Sequence, residues 1–259
     1  MNNKTSQKNN PVENEKFFDL VSEFYDEMIS FDKSLVNRQN ALKKFITPSM
    51  KTAADLGCGT GLDSISLTKL GLKVKAFDSS ALMISRARQN AAVHGCNIDF
   101  KNLSIDKLKS GLNNKFDIAV SLGNTLLNLD KAKLTKTLKL IHGMLNQGGL
   151  IVIQVLNFDL LRKENKRILK ISSHNGNSIV RFYDIFKDFF HFNILKFNSE
   201  NPARYDLLTT KLYSHNFQFI NKTLKSAGFG NINAFGDLNL NKFDRESSND
   251  IIFLAQKIN

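Results

Sequence analysis

The chain has 259 residues, with 36 Lys and Arg against 24 Asp and Glu for a formal charge of +12; it is 42% hydrophobic and 23% charged. That is ordinary globular composition and excludes a disordered or fibrous chain. There are two cysteines, Cys58 and Cys96, and no CxxC pair, so neither a disulfide framework nor a zinc site of the usual kind organises the fold.

Residues 1–16 carry lysines but lack the apolar stretch of a secretory signal, and they read as a loose tail over 1–15. The longest apolar runs, such as 150–155, are strand-sized and far below a membrane span, so the expected compartment is cytoplasmic. From 17 to 46 the pattern is helical. Phe17, Leu20, Val21 and Phe24 share one face, and a second helix over 32–46 is stopped by Pro48.

A regular alternation follows. Strands are expected over 52–56, 73–77, 98–100, 116–122 and 150–155, and helices over 62–70, 81–94 and 131–145. Gly71 and Gly95 close the first two of these helices, and Gly148-Gly149 is expected to close the third. Strand–helix units of this length imply a parallel, doubly wound sheet. After Asn157 the character changes. Residues 168–172, 178–183 and 189–197 alternate apolar and polar, with Asn175-Gly176 as a hairpin turn. A helix over 217–227 and strands over 231–235 and 250–257 close the chain.

The stretch AADLGCGTGL runs strand, glycine turn, helix start. Glycines allow positive φ and close approach of a ligand to the backbone. The spacing is D-x-G-x-G-x-G, not the GxGxxG of a dinucleotide site. Asp55 at the end of the first strand would repel a pyrophosphate and suits a cationic ligand. Asp78 ends the second strand about 20 residues on, where an acid can accept both ribose hydroxyls of a nucleoside. It could also cap the helix that follows.

These residues resemble motif I of the class I S-adenosylmethionine-dependent methyltransferases. AFDSS resembles the second motif, FDIAVSLGNTLLNL the fourth, and residues 140–153 the helix–Gly-Gly–strand unit. The resemblance runs from about Phe17 to the end of the chain. It implies an α/β fold: a Rossmann-like, doubly wound, seven-stranded, mostly parallel sheet with an N-terminal helical lid and an antiparallel β insertion after the fifth strand. In that frame 1–15 is tail and 16–47 is the helical lid. Residues 48–157 are the S-adenosylmethionine-binding core, 158–215 an insertion acting as substrate lid, and 216–259 the closing helix and strands.

The resemblance implies S-adenosyl-L-methionine as cofactor, held by Tyr25, Asp55, Gly57, Gly59, Thr60, Gly61, Leu62, Asp78, Ser79, Met83, Ser104, Ile105, Ser121, Leu122 and Gly123. Ser104 stands where members often place an Asp near the adenine. Ser121-Leu122-Gly123-Asn124-Thr125 and Asn157-Phe158-Asp159 resemble segments of glycine and sarcosine N-methyltransferases. Leu156 replaces an Arg that holds the substrate carboxylate in those enzymes, and Arg181 on the 178–183 strand is the candidate substitute. Asn124, Tyr25, Arg181, Tyr183 and His215 are the candidates for acting on the acceptor. A surface salt bridge with Asp184 or Asp188 is the competing role for Arg181, and turn-capping the competing role for Asn124 and Asn157.

Methyl transfer from a sulfonium needs alignment rather than a metal or a covalent nucleophile, and the five histidines show no metal-ligand spacing. The expected reaction is in-line transfer to a small molecule, with an amine nitrogen favoured. RNA or protein methylation, or silent S-adenosylmethionine binding, are the alternatives. The lysines are scattered, and the basic run 162–170 reads first as a solvated face; nucleic acid is a possible partner but not the favoured one. Monomer and homo-oligomer fit the sequence equally.

Overall fold

A computed structural model of the chain describes residues 10–174, 176–198 and 200–258. Residues 1–9 of the expected tail and Asn175 of the expected turn lie outside them.

Order begins earlier than residue 15. Val12 bridges to Thr210, and its N–H donates to the Thr209 carbonyl at 2.9 Å. The Thr210 hydroxyl donates in turn to the Val12 carbonyl. Pairing with a strand edge orders this segment through its backbone, a signal that side-chain pattern does not carry. The N-terminal pair of helices is in fact three: α1 (Asn14–Val21), α2 (Tyr25–Ile29) and α3 (Phe31–Leu42), followed by a 3₁₀ turn over Lys43–Phe45. Ser30 sits between α2 and α3 at φ +53°, a left-handed position that reverses the chain. Phe17, Val21 and Phe24 are buried as expected, whereas Leu20 is 45% exposed.

The core follows as β1 (Thr52–Leu56), α4 (Leu62–Lys69), β2 (Lys73–Asp78), α5 (Ala81–Val93), β3 (Asp99–Asn102), β4 (Phe116–Ser121), α6 (Lys131–Met144) and β5 (Leu145–Leu156). Gly148-Gly149 does not end α6. The helix stops at Met144, and the glycines lie in the irregular start of β5, where the partner of Phe116 is Leu145 and that of Ile118 is Leu150. Gly148 is at φ +75°, which lets the strand fold its extra residues out of register.

The insertion opens with a helix the sequence pattern did not suggest, α7 (Phe158–Glu164), capped by the Asn157 side chain. Then come β6 (Ile168–His174), β7 (Asn177–Ile185), β8 (Phe189–Asn198) and an additional long strand, β9 (Asn201–Tyr213). The first half of β9 is polar and exposed, so it shows no alternation; pairing along β8 is what makes it a strand. The chain closes with α8 (Phe217–Ser226), β10 (Phe229–Phe235) and β11 (Asp250–Lys257).

Among the described residues the strands form two sheets, one of seven strands in the order β10-β11-β5-β4-β1-β2-β3 and one of four in the order β6-β7-β8-β9. In the larger sheet β11 runs antiparallel to both neighbours, and the other pairings are parallel. One face is covered by Leu134, Leu138 and Ile141 of α6 with Ile220 and Leu224 of α8. The other is covered by Leu35 and Leu42 of α3, Ile65 of α4 and Ile84 and Ala87 of α5. Burial on both faces is why β5 reads as an unbroken apolar run. A third cluster joins Phe17, Val21, Phe24 and Met28 to Met83 of α5 and to Ile179 and Ile194 of the smaller sheet. No helix among the described residues is long and apolar enough to cross a membrane.

Candidate active site

Strand order reverses between β1 and β4, and in open α/β sheets ligands bind at that switch point beyond the carboxyl ends of the strands. The glycine turn lies there. Gly57, Gly59 and Gly61 have φ of +82°, +53° and +92°. The N–H groups of Gly57 and Cys58 donate to the Phe77 carbonyl at 2.8 and 3.0 Å, which ties the turn to β2. A β-carbon on Gly59 would meet only the Tyr25 ring, at 3.9 Å. The turn therefore has open space above its middle glycine, roofed by an aromatic ring from α2.

Two acids flank this space. Asp55 is buried; its Oδ2 accepts from Ser64 Oγ at 2.5 Å, and its Oδ1 has no partner among the described residues. Burial, joined by the charge of Asp63, pushes its carboxyl well above the usual range against the pull of the Ser64 hydroxyl. Asp78 accepts from the Gly59 N–H at 2.8 Å and from the Ser80 N–H at 2.9 Å. Its pKa is raised by burial, and these two donors oppose the rise. Ser80, not Asp78, caps α5: its hydroxyl accepts from Met83 N and donates to Asp19 of α1.

The other residues expected around the cofactor have these surroundings. Thr60 is buried with Oγ1 unpartnered, and its carbonyl accepts from Asn90 Nδ2 at 3.0 Å. Gly61 and Leu62 start α4. The Ser79 carbonyl accepts from Asn102, and Met83 packs among Phe17, Val21 and Phe24. Ser104 Oγ donates to Asp106 at 2.5 Å, with buried Ile105 between them. Ser121 Oγ donates to the Leu56 carbonyl at 3.2 Å, Leu122 is buried, and the Gly123 N–H donates to Gln154 Oε1 at 3.3 Å. Asn124 is left-handed at φ +71°, and its Oδ1 is buried without a hydrogen-bond partner among the described residues.

The structure brings Tyr25, Arg181 and Tyr183 together. Ile179, Arg181 and Tyr183 alternate along β7 and so share one face; Ile179 and Tyr183 on that face are buried. Arg181 makes no ion pair among the described residues, and Asp184 is instead paired with Arg167. The Tyr25 hydroxyl is pushed up to about 12 by burial and then by the Asp78 charge, and Arg181 works against this. The Tyr183 hydroxyl is likewise raised by burial, with Arg181 opposing. Both phenols are therefore neutral donors at physiological pH.

His215 and Asn157 are engaged with backbone carbonyls. The His215 Nε2 sits 2.7 Å from the Leu129 carbonyl, and the ring is buried. Asn157 is buried and donates to the carbonyls of Arg245 and Ser248, fixing the loop before β11. The basic run is also engaged internally: Arg162 with the carbonyl of Lys187 and the hydroxyl of Ser214, Lys163 with Glu246, and Arg167 with Asp184. Two charged residues at the site carry no motif. Arg38 of α3 pairs with Asp63 at 2.5 Å, and its charge reaches Asp55, Tyr25 and Asp250. Asp63 lies in the first turn of α4 behind the glycines, and no local sequence pattern pairs it with Arg38.

This is the ligand crevice of a Rossmann-like enzyme built to hold a nucleoside. Residues 53–149 match the family model described as "Methyltransferase domain". Over 217 residues the chain is 22% identical to the glycine/sarcosine N-methyltransferase of Aphanothece halophytica, covering 83% of this chain and 80% of that protein. Among solved structures, the CcbJ methyltransferase from Streptomyces caelestis superposes with a TM-score of 0.79 at 18% identity, covering 94% of this chain and 98% of that one. An S-adenosylmethionine-dependent methyltransferase from Clostridium acetobutylicum gives 0.74 at 18% identity, covering 93% and 99%. The chain is a class I S-adenosylmethionine-dependent methyltransferase. The crevice fits that cofactor: the space over Gly59 is open, Asp55 Oδ1 and Thr60 Oγ1 have no hydrogen-bond partner among the described residues, and an acid closes β2.

Proposed function

We propose that the chain methylates the amine nitrogen of a small molecule that also carries a carboxylate. Arg181 carries this reading. It is a half-buried cation with no ion pair among the described residues, on the face of β7 that carries buried Ile179 and Tyr183, and its charge acts on both Tyr183 and Tyr25. A guanidinium there can take a carboxylate bidentately and needs one to offset its burial. The Aphanothece halophytica relative is named for the nitrogen of glycine and sarcosine, which supports an amine. The internal engagement of Arg162, Lys163 and Arg167 speaks against an RNA-binding patch.

Bound S-adenosylmethionine supplies a methyl group already activated on a sulfonium. The chain's residues bind and align. Asp78 would take the ribose hydroxyls; the glycine turn, Asp55 and Thr60 would hold the amino-acid end, with Arg38 beside its carboxylate. Ser104 and Ile105 would line the adenine, and Ser121, Leu122 and Gly123 the floor between donor and acceptor. Tyr25 would close over the donor, and Asn124 Oδ1 would accept a hydrogen bond from the acceptor. In this reading the N-terminal helices and the smaller sheet are the two lids. Alignment of two bound reactants is worth roughly 7–11 kcal/mol in favourable cases.

Labelled donor incubated with separate pools of amino acids, simple amines, hydroxy acids and RNA tests the reading by mass analysis. Label in the amino-acid pool is expected, and Arg181→Met should raise KM for that acceptor about 10-fold or more, the loss of one charge-assisted contact, with kcat little changed. Label confined to RNA would overturn it.

A further inference from the structure

Asp250 is an acid at the crevice that neither the glycine turn nor the acceptor motifs explain. It is the first residue of β11 and stands opposite Leu156, the last of β5. Because β11 runs antiparallel, its first residue lies at the carboxyl rim of the parallel strands. Gln154 is in register with Ile252, two residues from Asp250, so Gln154 and Asp250 project from the same sheet face. That is the face on which α3 lies, since Ile252 packs with Leu35 and Leu42.

Gln154 orders the group. Its Oε1 accepts from the Gly123 N–H at 3.3 Å, and its amide lies beside the Asp250 carboxylate. The glutamine thus links the acid to the turn after β4 that carries Asn124. The loop before Asp250 is fixed as well: Asn157 N–H donates to the Asn249 carbonyl at 2.9 Å, and Asn157 Nδ2 to the carbonyls of Arg245 and Ser248. Asp250 is half-buried and makes no ion pair among the described residues. Its charge is felt by Tyr183, whose other charged neighbour is Arg181. Burial raises its carboxyl against the pull of Gln154 and Arg38. An acid placed this way, partly desolvated and without a cation on it, is set to receive one.

We infer that Asp250 is the acceptor-nitrogen subsite: it accepts an N–H hydrogen bond from the acceptor amine and faces the positive charge that grows on nitrogen as the new bond forms. The inference rests on the amine reading above. One N–H points to the carboxylate, which leaves the nitrogen lone pair free to form the N–C bond while the C–S pair stays with sulfur. The charge lost at sulfur appears on nitrogen, next to Asp250, so the carboxylate binds the developing ammonium more tightly than the neutral amine. Arg181 and Asp250 together would then read the two ends of an amino acid.

The test compares the full-length chain with Asp250→Asn and Asp250→Glu, using glycine, ethanolamine and propylamine as probes. Calorimetry with S-adenosylhomocysteine should give donor-site affinity within about twofold across the three proteins, which shows that each folds. Asp250→Asn should lose roughly 10-fold or more in kcat/KM for every amine that the parent methylates, the scale of one charge-assisted contact, with much of the loss in kcat. Asp250→Glu should recover part of it. Amine methylation that Asp250→Asn leaves intact overturns the assignment while the amine reading stands. Methylation of none of the amines overturns both.

Discussion

The methyl carbon of the Thr125 side chain stands 2.2 Å from the point where a β-carbon on Gly57 would lie. Gly57 follows β1 and Thr125 follows β4, so this contact marks the reversal of strand order. Gly57→Ala is expected to destabilise the protein on two counts. A left-handed alanine costs about 1–2 kcal/mol, and forcing an extra methyl into filled space costs about 1–3 kcal/mol. Thermal denaturation of Gly57→Ala, Thr125→Ala and the double variant checks this. The double variant should recover only part of the loss, because the backbone strain remains and the Thr125 β-carbon is itself 2.8 Å from the new methyl.

Asp78 is a partly buried carboxylate at the end of β2. Both of its oxygens already take backbone N–H bonds, from Gly59 and Ser80. Asp78→Ala removes the ribose acceptor and leaves those two donors without a partner. Hydrogen bonds to a charged group contribute about 1.5–3 kcal/mol each, so S-adenosylhomocysteine affinity should fall roughly 10- to 100-fold by calorimetry. Asp78→Asn should fall less. An unchanged affinity in Asp78→Ala would remove this acid from the donor site.

Much of this site could be read along the chain because its geometry is local. Asp55, the three glycines and Asp78 lie within one β–turn–α–β unit, and that unit's spacing dictates where they meet. Arg181 and Tyr183 were singled out by the family resemblance together with strand alternation, which puts both on one face of β7. The parts that escaped depend on partners distant in sequence. Arg38 matters because α3 lies across α4 and meets Asp63. Asp250 matters because β11 inserts antiparallel beside β5, an order that no local pattern encodes. β9 is a strand through its pairing with β8, and Val12 is ordered through β9. His215 drew attention by residue type; its Nε2 is engaged by a carbonyl of the turn after β4, and its Nδ1 is buried with no hydrogen-bond partner among the described residues.

Asn90 joins the N-terminal helices to the glycine turn. Its Nδ2 donates to Asp26 of the α2 helix and to the Thr60 carbonyl, each at 3.0 Å, and Asp26 also takes Arg86. If the helices act as a lid, this amide sets the lid and the donor turn in one arrangement. Asn90→Ala should weaken donor-site affinity by about 1–3 kcal/mol, the cost of leaving buried polar groups unpaired. Limited proteolysis should then cut within residues 10–45 sooner than in the parent, and added S-adenosylhomocysteine should restore less protection. Cleavage at the parent's rate would mean that the helices are held without this amide, by the Phe17–Met83 apolar cluster and the Ser80–Asp19 and Arg86–Asp26 contacts.

Asp55 gives the protein without its cofactor a pH dependence of definite sign. Its folded pKa is raised well above 3.8, by burial first and then by Asp63. The folded chain therefore holds this proton to higher pH than the unfolded chain does. Over the window from about pH 4 up to the raised value, stability must fall as pH rises, because the native state binds more protons there. Asp55→Asn abolishes that proton exchange. The difference in Tm between variant and parent should drift in the variant's favour as pH is raised from 5 towards 8. The constant part of the difference, set by the new amide's hydrogen bonding, does not affect the slope. S-adenosylhomocysteine keeps the donor's ammonium group and should stabilise the parent more as pH rises and the ionised fraction of Asp55 grows, and Asp55→Asn far less. A Tm difference that stays flat across the range would show that Asp55 is ionised alike in the folded and unfolded chains.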